Sequence, residues 1–175
     1  MANREALNEL QARLAQRLMA AEAGGVRASW LAVRTGAQNY LFPLGLAGEI
    51  CALSGLQAVP YAKPWFLGVQ NVRGNLLGVV DLAAFLGQGH AAAAGQGALE
   101  RCVVTLNAQL EVNCGLLVDG LLGLRSDADF TQSEPATAGA AAYLGRRFTD
   151  AEGAVWQEVD LRALAQSAAF LTISL

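Results

Sequence analysis

Between residues 3 and 22 the chain reads NREALNELQARLAQRLMAAE, with Leu7, Leu10, Leu14 and Leu18 at three- and four-residue spacing and charged or amide residues around them. That period lines one face of an α-helix. Gly24-Gly25 then breaks it. At 1.5 Å per residue such a helix is about 30 Å long. Two uses fit the leucine face: packing against the body of its own chain, or binding a partner or a second copy.

Beyond Gly25 the period shortens. Apolar runs of strand length, cut by glycine, follow one another: Trp30–Arg34, a Thr35-Gly36 turn, Asn39–Leu44, then Glu49–Leu53. Trp65–Val72 and Leu76–Val80 flank Arg73-Gly74-Asn75, a compact hairpin connection. Cys102–Leu106, Leu110–Val118 and Leu121–Leu124 continue as a meander. Many short strands at close spacing predict a mainly β fold, a small barrel or sandwich, rather than a parallel sheet.

Two short helices are predicted in the body, Leu82–Leu86 and Leu161–Gln166, each preceded by an aspartate. Val80-Asp81-Leu82 and Val159-Asp160-Leu161 also follow similar strand runs, which begin at Leu67-Gly68 and Leu144-Gly145. This half-chain repeat predicts two related β lobes, with Asp81 and Asp160 as helix N-caps. Gly87–Ala98, GQGHAAAAGQGA, is a loop beside them.

Composition narrows the function. With 54% apolar and only 15% charged residues, the chain folds rather than staying disordered. Its 12 basic residues are dispersed and outnumbered by 15 acidic ones, so a nucleic-acid backbone is a poor partner. Charges within the first helix rule out a signal-peptide core, and the glycines and amides of Leu82–Leu99 make a poor membrane span. Cys51, Cys102 and Cys114 show no CxxC spacing and sit among apolar residues, which predicts reduced, buried thiols and a cytoplasmic setting. His90, the sole histidine, lies in the Gly/Ala loop, and no GxGxxG or Walker run is present. Neither a catalytic constellation, nor a metal site, nor a cofactor site is read from these residues.

WFLGVQNVRGNLLGVVDL, residues 65–82, carries the most information. Strand alternation puts Val69, Asn71 and Arg73 on one side and Gln70 and Val72 on the other. Either this is a recognition edge, or an ordinary solvent-facing strand end.

The same stretch resembles the motif of CheW-like chemotaxis coupling domains: strand, Asn-hydrophobic-Arg-Gly turn, strand, Asp-Leu helix start. WLAVRTGAQNYLFPLGLAGEI, ending in Glu49-Ile50, is similar to the family's first strands. CGLLVDGLLGL and the closing VDLRALA are similar to its later ones, so the resemblance covers residues 29–166. The N-terminal helix, Trp65 and the Gly-Glu-Ile element look most like adaptors of the type IV pilus, or twitching, branch. Gly78 stands where a proline is common, which predicts a looser strand, and Arg146-Arg147-Phe148 lies outside the pattern.

The resemblance implies two SH3-like β-barrel lobes about a shared hydrophobic centre, residues 26–175, after an N-terminal helix, residues 1–25. It implies a scaffold without catalysis at receptor arrays on the cytoplasmic membrane face. The implied partners are a CheA-type histidine kinase and the cytoplasmic tip of a methyl-accepting chemoreceptor, whose helical hairpin is expected in the groove between lobes. Glu49 and Arg73 match the family's charged pair and are expected together at the lobe junction, with Asn71 and Gly74 completing the turn. Glu49, Ile50, Val69, Asn71, Arg73 and Gly74 are thus the interface candidates, and Leu7, Leu10, Leu14 and Leu18 the partner-helix candidates. A ligand- or nucleic-acid-binding small barrel is the alternative.

Overall fold

In the computed structural model, which describes residues 28–88 and 100–175, the strands sort into two sheets. The first contains β1 (Trp30–Thr35), β2 (Gln38–Pro43), β8 (Gly120–Arg125), β9 (Phe130–Glu134), β10 (Leu144–Asp150) and β11 (Val155–Val159). Its order is β8-β1-β2-β11-β10-β9. The second contains β3 (Ala47–Ala52), β4 (Phe66–Val72), β5 (Asn75–Asp81), β6 (Cys102–Leu106) and β7 (Cys114–Val118), in the order β3-β6-β7-β5-β4. All strands of the second sheet therefore fall, in the chain, between β2 and β8 of the first.

The two sheets match strand for strand over five positions. In the second, the antiparallel hairpin β4-β5 lies parallel to β7, which pairs antiparallel with β6. In the first, the hairpin β10-β11 lies parallel to β2, which pairs antiparallel with β1. The predicted repeat is this correspondence. Each hairpin leads into a short helix, α1 (Leu82–Phe85) or α2 (Leu161–Gln166), and a further turn of helix, α3 (Ala168–Leu171), follows the second.

The aspartates act as read. Asp81 Oδ1 accepts from the Ala84 amide at 3.1 Å, and Asp160 Oδ1 accepts from Arg162 and Ala163 at 2.9 and 3.0 Å. Each satisfies backbone donors that a helix start leaves open. The parallel extends to the strands: the Asp81 amide donates to Trp65 O and the Asp160 amide to Tyr143 O, both at 2.8 Å.

Burial follows the two-residue period, and it fills three cores. Trp30, Ala32, Leu41, Phe148 and Trp156 pack within the first sheet's curl, while Leu77, Val79, Val103 and Leu117 pack within the second's. The alternate residues, among them Leu31, Val33, Phe42, Val80, Val104, Leu116, Val159 and Leu161, meet in one larger cluster drawn from both sheets. Strands buried on both faces read as continuous apolar runs. The mainly β class with two lobes about a shared centre is therefore observed.

Polar groups also join the lobes. Arg101 lies 3.3 Å from Asp119 and 3.8 Å from the nearly buried carboxylate of Asp81, and Asp119 accepts from the Gly36 amide at 2.7 Å. Gln88 donates to the Tyr40 hydroxyl and to Gln38.

Some details differ from the sequence reading. Leu110–Val118 is not one strand: Ala108–Leu110 form a 3-10 turn, Glu111 takes a left-handed conformation (φ 58°), and β7 begins at Cys114. Gly78 is no looser than its neighbours, since it pairs with Val69 and Cys114 in the ladder. A Cβ there would lie 3.1 Å from the Phe66 ring, so the glycine makes room for that ring. Phe148 of the unfamiliar Arg-Arg-Phe run is core, with Arg146 stacked on it 4.9 Å from the ring centre. The predicted helix 3–22, with Leu7, Leu10, Leu14 and Leu18, and most of the 87–98 loop lie outside the described residues.

Candidate functional site

The edges of the second sheet, β3 and β4, face each other across a seam that side chains close. Gln70, 2% exposed, reaches from β4 to β3: its Nε2 donates to Ala52 O at 3.4 Å and to Cys51 Sγ at 3.6 Å, and its Oε1 accepts from the Ser54 amide at 3.3 Å. A buried amide left unbonded costs more than a bond contributes, so these partners fix the seam. Farther along the edge, the Gln57 and Val69 backbones exchange hydrogen bonds, both 2.8 Å. Gly68 permits that approach with φ +136°, since a Cβ would stand 2.1 Å from Gln57 O.

At the end of the seam β4 turns into β5. Val72 pairs with Asn75, leaving a two-residue loop, Arg73-Gly74, with φ of 51° and 88°. Positive φ at both central positions is the turn whose twist matches the flanking strands. The Asn71 carboxamide oxygen supports it by accepting from the Gly74 amide at 2.9 Å. Gly74 is the cheap residue here. Arg73 is not: a non-glycine held left-handed costs about 1–3 kcal/mol.

The Arg73 side chain makes use of that position. Its Nη1 donates to Glu49 Oε1 of β3 at 3.1 Å, with the two side chains 74% and 52% exposed. Water screens such a pair, so it adds at most about 1 kcal/mol to folding. A costly backbone conformation thus supports a weak, exposed ion pair.

Glu49 and Arg73 line a groove of about 520 Å³ at this end of the lobe. Val72, Leu77, Leu106 and Val112 are its apolar lining, and Asn75, Asn107 and Asn113 its amide lining. Glu111 also lines the groove, so two of the three non-glycine residues with positive φ among the described residues lie along it.

The interface candidates thus divide. Glu49, Asn71, Arg73 and Gly74 come together around the turn. Ile50 instead packs against the shared core, and Val69 is half-buried with its backbone bonded to Gln57. Alternation holds for Val69 and Asn71 against Gln70 and Val72. Arg73 leaves the strand before that rule reaches it. The pair also lies on the two edges of one sheet, not at the lobe junction, because barrel closure brings β3 to β4. Two residues were missed. Leu76, 61% exposed, sits opposite Asn71 as an apolar side chain on the outer face, and Gln70 holds the seam. Their signal was strand parity alone: Leu76 on the polar face, Gln70 on the apolar one.

Three comparisons bear on this arrangement. The CheW-like domain family matches residues 29–169. The protein PilI of Pseudomonas aeruginosa is 30% identical over 151 residues, which is 83% of this chain and 81% of PilI. The crystal structure of the scaffolding protein TtCheW from Thermoanaerobacter tengcongensis superposes with a TM-score of 0.58 at 17% identity, over 75% of this chain and 88% of that one. The last supports the fold; the first two carry the relationship. With its motif turn, two-lobed fold and matched span, the chain belongs to the CheW-like domain family, as an adaptor of the chemosensory kind.

Proposed function

We propose that this protein is a non-catalytic scaffold that couples methyl-accepting chemoreceptors to a CheA-type histidine kinase, in a system controlling type IV pili. The observation that carries this reading is the Arg73-Gly74 turn, whose strained backbone holds an exposed arginine against Glu49 beside a partly apolar groove. An enzyme uses strain to aim reacting groups; here it aims a charged pair and a patch that suit a protein surface. The relationship to PilI supports the pilus assignment. Coupling sites of this size are weak singly and gain from array multivalency. No described helix is long and apolar enough to cross a membrane, so attachment through receptors fits.

Reconstitution tests the reading. A receptor cytoplasmic fragment and a CheA-type kinase from a pilus system are mixed with and without this protein. A ternary complex and kinase stimulation that require the adaptor are the expected outcome. Binding to neither component overturns the proposal.

A further inference from the structure

We propose that two copies of this chain join about a two-fold axis through the β3–β4 connection and the segment after α3, residues 172–175, so that the dimer carries two Glu49–Arg73 grooves.

The apolar surface of the protein is concentrated there. Among the described residues eight large apolar side chains are exposed, and six of them lie in two short stretches. Leu56, Val59 and Tyr61 belong to the connection; Leu171, Ile173 and Leu175 belong to the end of α3 and the segment after it. The backbone ties the stretches together around the bridge Ala62–Ser174. The Lys63 amide donates to Ile173 O at 2.8 Å, and the Leu175 amide to Tyr61 O at 3.0 Å. Residues 53–62 and 167–175 carry no charged side chain, and the neighbouring Lys63 ammonium lies over the Trp65 ring. An exposed apolar patch of this kind marks an interaction surface.

The backbone favours a second copy as the occupant. With Lys63 bonded to Ile173 and Leu175 to Tyr61, the N–H and C=O of Ser174 point away from the connection. Ser174 is exposed, and its backbone has no partner among the described residues. Thr172-Ile173-Ser174-Leu175 has no charge and no proline, two of the devices by which edge strands avoid pairing. Such an edge is complementary to itself: about a two-fold axis at Ser174, two copies exchange N–H···O=C bonds there. The uncharged face also lets two chains of net charge −3 approach each other.

Tyr61 adds an anchor. It holds a φ of 58° while 85% exposed, and the dimer buries this strained, open ring as interfaces bury tyrosine. The connection enters β4 at Phe66, about 20 Å along the strand from the Arg73 turn. Both grooves therefore stay open, and two joined grooves bind a clustered target with avidity that a single copy lacks. The dimer itself does not depend on what the grooves bind.

Sedimentation equilibrium of the full chain, from low to high micromolar concentration, is the first measurement. A mass approaching twice the 18.3 kDa of one chain is expected; monomer mass throughout overturns the proposal. Ser174→Pro removes the outward N–H and spares the two inward bonds, so it should weaken the dimer roughly tenfold, for the loss of two hydrogen bonds. Tyr61→Gly relieves the backbone and removes the anchor, giving a weaker dimer with a melting temperature at or above the parent's. A dimer that both substitutions leave unchanged uses another face and overturns the assignment. Ser174→Cys reads the register: pairing at the axis sets the two Cα atoms about 5.5 Å apart, within disulfide reach. Mild oxidation should then link two copies through position 174, a product the parent chain does not give. A dimer without that link overturns the edge pairing. A chain that is monomeric alone, but whose Tyr61→Gly variant loses the receptor fragment or the kinase, gives this face to that partner and overturns the dimer.

Discussion

Arg73 and Glu49 are 24 positions apart and lie on opposite edges of one five-stranded sheet, yet their side chains meet at 3.1 Å. The sheet curls until β3 faces β4, and Gln70 ties the inside of the seam while the ion pair spans its outer end. A buried amide and an exposed ion pair thus share one seam, and their energetics differ.

For the outer end, Arg73→Asn relieves the left-handed backbone while giving up a pair worth at most about 1 kcal/mol. The expected variant is as stable as the parent, or more stable by up to about 1 kcal/mol, but poor in receptor–kinase coupling. Arg73→Glu should stay folded and couple worse still, with Glu49→Arg in the same chain restoring part. A thermal melt beside a kinase-activation assay reads both. Unchanged coupling in either folded variant would sink the role assigned to Arg73.

The inner end behaves in the opposite way. Gln70→Leu keeps the volume but removes the bonds to the Ser54 amide and the Ala52 carbonyl, which sit on exposed residues and can turn to water, so the cost is about 1 kcal/mol. Urea unfolding should show a lower midpoint, and amide exchange at Ser54 should speed up. A neutral substitution would mean that the seam closes by packing alone.

The two N-cap aspartates should not be equal. Asp160→Ala removes a cap and costs about 1 kcal/mol. Asp81→Ala removes a cap and also the nearly buried carboxylate beside Arg101, so its loss in unfolding free energy should be larger. Equal losses would argue that the Arg101 contact contributes nothing.

All three cysteines are free thiols; Cys102 and Cys114 are buried and Cys51 is half-buried. Burial, with smaller contributions from Cys51 and Glu100, pushes the Cys102 thiol up to about 12, and burial does the same for Cys114. Unfolded thiols ionise near 9, so between pH 9 and about 12 the unfolded chain holds fewer protons than the folded one. Their contribution is complete below pH 9 and is lost as pH rises toward 12. Denaturation midpoints should therefore fall on the alkaline side, and less so in Cys102→Ala and Cys114→Ala. In the native protein at pH 8, a thiol reagent should label Cys51 first. Labelling of Cys102 or Cys114 at the same rate would contradict that burial.

The elements that were legible in the sequence are those with strong apolar periodicity or a turn with a chemical signature. β1, β2, β4, β5 and β6 alternate or run apolar, and Asp81 and Asp160 announce their helices. β9, FTQSE, was not legible because its side chains after Phe130 are polar and exposed, so backbone pairing to β10 makes it a strand. Leu110 and Val112 read as strand because both are apolar, but Glu111 turns left-handed between them. The Arg73–Glu49 partnership came from resemblance; its position came only from closure of the sheet, which no local pattern encodes.

The nesting of one sheet inside the other sets an order in time. A ribosome that has released Val118 has delivered every strand of the inner sheet, β3 to β7. β2 must still wait for β11, since Asn39 takes Trp156 as its register partner. The inner lobe is thus complete while the outer one is still two strands without a third neighbour, and such long-range parallel pairing is slow to form. Until β11 arrives, β2 keeps an open edge, and an unpaired edge of this kind invites pairing with another chain.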